Sequence, residues 1–232
     1  MRIEVRDPNG GNQRITEDFL RADSGKENNR ILIFARSGLL NLLSNSSIWH
    51  MDGTFDVVPQ LWSQLLTINV EWNESANPAQ NNRHTLPCAF ALLPNKEEVT
   101  YKRCFHMLDN LIDQGPNKVH CDFEIGMHNG IRGTWKSDLE FCYFHLSQSF
   151  QNRIKKLNLA DAISKEESLS IQFKMIKALA FIPVDDVIIG FQLLYDYVDD
   201  RLHEFLAYLE TNYIGARSGS RRVNPRYPMS GR

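Results

Sequence analysis

Apolar residues in the first half of the chain form runs of strand length that are separated by short polar breaks. Three of these runs are rich in β-branched and aromatic residues: 48–58, 62–72 and 84–93. The dipeptide Pro59-Gln60 and the polar stretch 73–82 separate them. Because connections this short suit antiparallel neighbours, the pattern predicts a three-stranded antiparallel meander.

The spacing of apolar residues along the chain then changes from the pattern typical of strands to the pattern typical of helices. Apolar residues at Tyr101, Phe105 and Leu108 predict a helix over 99–112. Two short strands are predicted at 118–123 and 139–144, with helices following at about 125–135 and 145–157. Beyond them the chain is helical, and Ser164-Lys165-Glu166-Glu167 predicts a capped helix start.

This element order predicts an α/β fold, more exactly an α+β mixed sheet. Three meandering strands followed by alternating helices and strands is the order of an RNase H-like core, a fold-level analogy that carries no function by itself. The predicted organisation has four parts: an irregular N-terminal lead-in at 1–29, an RNase H-like core at 30–158, a C-terminal helical insertion at 159–214 and a flexible basic tail at 215–232.

Composition narrows the class of protein. Hydrophobic residues make up 42% and charged residues 23%, as in ordinary folded domains, which argues against a disordered or collagen-like chain. No apolar run has membrane-spanning length, and the N-terminus lacks the apolar stretch of a secretory signal, so we expect an intracellular protein without a membrane partner. The net charge of −2 excludes nucleic-acid binding through overall charge, and any DNA contact must come from local patches.

Two aspartates are candidates for metal binding. Asp52 lies in Trp49-His50-Met51-Asp52-Gly53-Thr54-Phe55, where burying a carboxylate among apolar neighbours is costly without a partner or a metal. Asp52-Gly53 is equally typical of a tight hairpin turn. Asp122 follows Val119-His120-Cys121 at the end of another predicted strand, where its alternative role is to cap the next helix.

Considered together, the two aspartates indicate a more specific chemistry. The first and fourth strands of an RNase H-like sheet are neighbours, so Asp52 and Asp122 are predicted to approach within metal-bridging distance. Carboxylate oxygens prefer hard cations such as Mg²⁺ or Mn²⁺. Two such ions about 4 Å apart activate water or a 3′-hydroxyl and stabilise the leaving oxygen of a phosphoryl displacement. Asp52 and Asp122 are therefore predicted to be catalytic, metal-binding residues for DNA cleavage and strand transfer.

Further motifs surround these aspartates. The first block continues from 49–55 into Val58-Pro59 and Gln64-Leu65. The second comprises Ala91-Leu92-Leu93-Pro94-Asn95-Lys96, Thr100-Tyr101 and Asp122-Phe123-Glu124. Later motifs are Cys142-Tyr143-Phe144-His145 and Ala178-Leu179-Ala180-Phe181-Ile182-Pro183. Over about 31–214 these motifs together resemble the catalytic domain of Mutator-like (MULE-type) transposases.

The resemblance implies a DDE-type transposase of RNase H-like fold. Such a protein would use Mg²⁺ or Mn²⁺, act on DNA at transposon ends in the nucleus, and possess a third acid, a glutamate in an Asn-rich block. No such block occurs here, and the late helical glutamates Glu204 and Glu210 occupy positions typical of a solvated helix face. We therefore expect a chain that is truncated or degenerate before the third acid and inactive alone. A homo-oligomer is a further expectation.

Cys142 and His145 match the family's Cys-x-x-His motif. A structural zinc site requires four ligands, and this motif supplies only two. The shortfall argues against zinc unless other residues, such as His120 and Cys121, contribute ligands. The alternative prediction packs Cys142 in the fifth strand and places His145 at the start of the next helix, facing the acidic cluster. There it would orient a phosphate or a carboxylate.

Two non-catalytic interpretations compete with the transposase. One is a domesticated or decayed scaffold that binds DNA or protein, in which the basic tail contacts phosphates through Arg217, Arg221, Arg222, Arg226 and Arg232. A tail of this composition is equally a solvated linker. The other is an unrelated α+β domain in which both aspartates serve only as turn and cap residues.

Overall fold

A computed structural model describes residues 1–6, 14–73, 83–219 and 221–227. The chain divides into two compact units, 1–140 and 141–232. The predicted core ended at residue 158, whereas the first unit ends after Glu140, so the helix that follows the last strand of the sheet belongs to the second unit. The predicted polar connection at 74–82 and the end of the predicted tail at 228–232 lie outside the described residues.

The first unit contains most of the strands. In chain order its elements are β1 (Arg2–Arg6), β2 (Arg14–Asp18), β3 (Leu20–Asp23), β4 (Leu32–Ala35), α1 (Ser37–Ser44), β5 (Ile48–Thr54), β6 (Gln64–Asn73), β7 (Arg83–Leu93), α2 (Glu98–Asp109), β8 (Lys118–Cys121), α3 (Ile125–Trp135) and β9 (Asp138–Phe141), whose last residue falls in the second unit.

Seven of these strands form one mixed sheet in the order β3-β4-β7-β6-β5-β8-β9. The strands β5, β6 and β7 are antiparallel neighbours, which confirms the predicted meander, and β8 joins β5 in parallel. The pairing follows from alternation along the strands: in β6, Leu66, Ile68 and Val70 are fully buried while the residues between them are partly exposed. The predicted mixed α/β class is therefore confirmed.

Helices α2 and α3 cover one face of this sheet. The ring of Trp135 lies 5.1 Å from that of Trp49 and 5.2 Å from that of Phe105, which ties both helices to β5. A Cβ on Gly130 would lie 2.9 Å from Cβ of Tyr101, so the two helices approach each other closely only because this position is glycine. This packing leaves His50 and Asp52, which alternate with Trp49 and Met51, on the opposite face of β5.

The prediction of an irregular segment over 1–29 is wrong for the described part of that segment. Strands β1 and β2 pair in antiparallel register from Arg2↔Asp18 to Arg6↔Arg14, and β3 forms the edge of the main sheet. The sequence signal is weak because the strands are short and mostly polar. The predicted break at 8–12 lies outside the described residues.

The second unit is mainly helical. Its helices are α4 (Tyr143–Lys156), α5 (Ala160–Lys165), α6 (Glu167–Ala178), α7 (Val187–Tyr197) and α8 (His203–Leu209), followed by a π-helical turn at Glu210–Ile214. Edge-to-face contacts join Phe150 and Phe173 to Phe205 at 5.3 and 5.5 Å between centroids. The helices predicted for this region are confirmed.

Two local predictions in this unit need correction. Ser164 does not cap a helix: it lies inside α5, where its hydroxyl donates to the backbone carbonyl of Asp161, and α6 begins after Glu166. The tail is not wholly irregular, because β10 (Arg217–Ser218) and β11 (Arg221–Arg222) pair as a short antiparallel ladder. Among the described residues, no helix combines the length and the apolar character needed to cross a bilayer.

Candidate functional site

The parallel pair β5 and β8 brings the two predicted aspartates to the same end of the sheet. Its register is Ile48↔Lys118, Trp49↔Val119 and His50↔His120. Asp52 lies two residues beyond His50 within β5, and Asp122 lies two residues beyond His120, immediately after β8 ends. If the register continues for two residues, the aspartates stand level on neighbouring strands, about 5 Å apart at the backbone. Asp52 is exposed and Asp122 is half-buried.

A row of polar side chains leads up to these aspartates on the same face of the sheet. The rings of His50 and His120 stack with centroids 4.6 Å apart and an interplanar angle of 9°. Glutamates flank the stack on both sides: Glu71 Oε1 lies 3.3 Å from His50 Nε2, and Glu140 Oε2 lies 3.3 Å from His120 Nδ1. Burial, followed by the neighbouring His50, lowers the pKa of His120. The row spans β6, β5, β8 and β9 and aligns these strands before they reach the aspartates.

The interpretation of Asp52-Gly53 as a hairpin turn is wrong. Both residues lie inside β5 and pair with β6, Asp52 opposite Thr67 and Gly53 opposite Leu66. The glycine serves packing rather than a turn, because a Cβ at this position would lie 1.9 Å from Nε2 of the buried Gln64. Asp52 is therefore held on regular strand backbone.

Asp122 does not cap the helix that follows it. The N-cap position of α3 is Glu124, which makes no side-chain capping bond. His128 Nε2 instead donates to the backbone carbonyl of Asp122 at 2.6 Å. Burial lowers the pKa of His128, which favours the neutral ring. The side chain of His128 thus fixes the backbone of Asp122 as the chain leaves β8.

A buried polar network lies beside Asp122, and no separate pattern in the sequence indicates it. The Tyr101 hydroxyl donates to Gln64 Oε1 at 2.6 Å, and Gln64 is fully buried. The same hydroxyl lies within hydrogen-bonding reach of Glu124, two residues after Asp122. Burial raises the pKa of Glu124 and the charge of Asp122 raises it further, whereas Tyr101 and Lys96 act in the opposite direction. Only the three-dimensional packing of β6, α2 and the end of β8 reveals these roles.

Lys96 places a positive charge at the exposed side of the network formed by Gln64, Tyr101 and Glu124. Its ammonium lies 3.9 Å from Glu124 Oε2 and 3.4 Å from the centroid of the Phe55 ring. Lys96 precedes α2 and Phe55 follows β5, so both belong to connections that leave the sheet near the aspartates. Lys96 and Phe55 therefore add a cation and an exposed aromatic ring to the carboxylates in this part of the first unit.

Cys142 and His145 lie in the second unit. Strand β9 ends at Phe141, so the prediction that Cys142 packs within this strand is wrong. Cys142 is the N-cap residue of α4 and is half-buried, and His145 lies in the first turn of the same helix. Across the residues that the structure describes, no three His, Cys, Asp or Glu side chains converge as metal ligands would.

Both late glutamates take part in ion pairs inside the second unit. Glu204 Oε1 lies 3.1 Å from Arg153 Nη2, and Glu210 Oε1 lies 2.6 Å from Arg222 Nη1. Glu204 is largely exposed, as expected for a solvated helix face. These pairs give each glutamate a local structural role.

The donor set formed by Asp52 and Asp122 fits Mg²⁺ or Mn²⁺ better than zinc. Both residues offer carboxylate oxygens, which hard divalent cations prefer. Mg²⁺ commonly takes one or two carboxylates and completes its octahedron with water and substrate oxygens. Asp52 and Asp122 could supply two such carboxylates at the same end of the sheet.

Comparison with known proteins adds no further assignment. No protein-family model matches the chain, and no curated protein matches it significantly. The functional argument therefore depends on the residues and their arrangement.

Proposed function

We propose that the first unit is an RNase H-like domain of the MULE transposase type, built for metal-dependent phosphoryl transfer on DNA. Support comes from the strand order β7-β6-β5-β8-β9, with β5 antiparallel to β6 and parallel to β8. Numbered from β5, this is the order 3-2-1-4-5 expected of that fold. Because a fold hosts many functions, the proposal depends on the site rather than on the topology.

The observation that carries the proposal is the parallel pairing of β5 with β8 up to His50↔His120, which brings Asp52 and Asp122, each two residues further along the chain, to the same end of the sheet. Ligands of open α/β sheets bind beyond the carboxyl ends of such strands. Asp52 and Asp122 would hold Mg²⁺ or Mn²⁺ there. When bound, the metal would polarise a phosphoryl oxygen and lower the pKa of a coordinated water or hydroxyl.

The surrounding residues would keep this pair in position. His128 holds the backbone of Asp122, and pairing with Thr67 holds that of Asp52. The Gln64 and Tyr101 side chains brace the segment that follows Asp122 through Glu124. Pre-organisation of this kind would hold both carboxylates in position before the substrate binds, which is what an electrostatic site requires.

A second candidate is a scaffold that has kept the fold without full catalysis. Two observations favour it: among the described residues no third carboxylate joins a metal-ligating group, and Glu204 and Glu210 are engaged elsewhere. On this view the chain alone binds metal or DNA weakly and does not cut. The expectation that the chain is inactive by itself is common to both candidates.

Calorimetric titration with Mn²⁺ tests the proposal. We expect the wild-type chain to bind Mn²⁺ and the double variant Asp52→Asn with Asp122→Asn to lose at least about ten-fold in affinity, since even supporting residues of metal sites contribute that much. Asp56→Asn removes an exposed acid four residues from Asp52 and serves as the matched control. Equal binding by the wild type and the double variant would remove the metal site and the proposed function with it.

Nicking of supercoiled plasmid DNA in Mn²⁺ then tests the expectation that the chain is inactive alone. Metal-dependent nicking that disappears in Asp52→Asn would support a competent transposase core and contradict the scaffold. Metal binding without nicking would agree with both candidates.

A further inference from the structure

The connection that follows β5 exposes large apolar side chains. Phe55 is 41% exposed, Val57 66% and Leu61 78%. Isolated exposed apolar residues are ordinary, whereas three within seven positions of one connection call for an explanation. Phe55 is the member nearest Asp52 in sequence and the only one of the three with an aromatic face.

Lys96 places a positive charge next to Phe55 in this connection. Its ammonium sits over the Phe55 ring, 3.4 Å from the centroid, and reaches toward Glu124. The Lys96 side chain is still 46% exposed, so its charge remains available to an anionic ligand. An exposed aromatic ring paired with an accessible cation is the combination that binds single-stranded nucleic acid, because every base offers a π-face and every nucleotide a phosphate.

We propose that Phe55 is a stacking platform for an unpaired base and that Lys96 contacts the phosphate attached to it. This inference rests on the proposed function and specifies its substrate, namely a DNA strand that is unpaired next to the reacting phosphate. The position of Phe55 suits this role, because only Gly53 and Thr54 separate Phe55 from Asp52 in the sequence. An intact duplex keeps its bases stacked inside and offers none to Phe55.

Binding of an oligodeoxythymidine that carries one 2-aminopurine tests the platform, because stacking quenches the fluorescence of 2-aminopurine. With Ca²⁺ present, the wild-type chain should quench this fluorescence and bind the strand more tightly than a blunt duplex. Phe55→Ala should abolish the quenching and weaken binding by about five-fold or more, the lower end for stacking of one base on an aromatic ring. Phe55→Tyr should retain both properties.

Two further variants distinguish base stacking from nonspecific binding to exposed apolar side chains. Leu61→Ala removes an even more exposed apolar side chain from the same connection but no aromatic face, and it should bind as the wild type does. Lys96→Gln should weaken binding and lower its salt dependence by about one phosphate contact. Equal losses in Phe55→Ala and Leu61→Ala, or unchanged quenching in Phe55→Ala, would overturn the platform.

The outcome is independent of the metal test. If Mn²⁺ binding requires Asp52 and Asp122 but Phe55→Ala quenches normally, the platform fails and the proposed function stands. If Mn²⁺ binding does not require the aspartates, the proposed function fails, whatever the result of the oligonucleotide-binding experiment.

Discussion

The imidazole rings of His50 and His120 stack face to face, 4.6 Å apart, across the parallel strands β5 and β8. This contact fixes the relative register of two strands that are far apart in sequence. Two residues further along each strand the same register leads to Asp52 and Asp122. The parallel pairing of β5 and β8 therefore brings both aspartates to the same end of the sheet.

Metal removal should lower the stability of the wild-type chain. A ligand that binds only the folded state stabilises it by about 2.7 kcal/mol at one hundred times its dissociation constant. We therefore expect the melting temperature in Mn²⁺ to exceed that in EDTA for the wild type, and to be equal in both for Asp52→Asn with Asp122→Asn. Differential scanning calorimetry measures both. An undiminished Mn²⁺ effect in the double variant would place the metal elsewhere.

Gly130→Ala should destabilise the first unit. The added Cβ would lie 2.9 Å from Cβ of Tyr101 and 3.0 Å from the Phe105 ring, so α2 and α3 would have to separate. Overpacking of this kind typically costs about 1–3 kcal/mol, which outweighs the gain in helix propensity of about 1 kcal/mol.

Gly38→Ala provides the matched control for that substitution. Gly38 lies in α1 with nothing within 4 Å of its missing Cβ, so alanine there should stabilise the protein by about 0.5–1 kcal/mol. Urea unfolding of the two variants should therefore show opposite signs. The same sign for both would contradict the packing argument.

The β5-β6-β7 meander could be predicted from the sequence because its strands are long, with 7, 10 and 11 residues, and rich in β-branched and aromatic residues. In β6 the alternation of buried Leu66, Ile68 and Val70 with partly exposed residues is visible in the sequence. The β1–β2 hairpin escaped prediction because its strands have five residues each and few apolar side chains. The pattern Ser-x-x-Glu at Ser164 fits a capping box, but α5 already includes this serine.

The site was predictable only in part. Asp52 and Asp122 were conspicuous because a carboxylate at the end of an apolar strand is unusual. Gln64, Tyr101 and Glu124 were not, since they come from three separate elements and meet only in the folded unit. Partners of this kind leave no local pattern in a single sequence.

Thiol reactivity should distinguish the cysteines. Cys88, Cys104 and Cys121 are buried, whereas Cys142 is half-buried. Burial raises the pKa of Cys88 to about 11 and that of Cys104 to about 12, so both stay protonated and unreactive near neutral pH. With Ellman's reagent at pH 8 we expect one fast thiol in the native chain, four in urea, and none fast in Cys142→Ser. A fast phase that survives Cys142→Ser would refute this assignment.

The Tyr101 hydroxyl should contribute to stability through a coupled network rather than through one bond. Tyr101→Phe leaves the buried Gln64 Oε1 without its donor, and an unsatisfied buried acceptor costs about 1–3 kcal/mol. Gln64→Leu should cost less, because the hydroxyl can still donate to Glu124. The double variant should cost less than the sum of the two, since no Gln64 carbonyl is then left unsatisfied. Urea unfolding of the four proteins measures this coupling, and strictly additive costs would show that Tyr101 and Gln64 act independently.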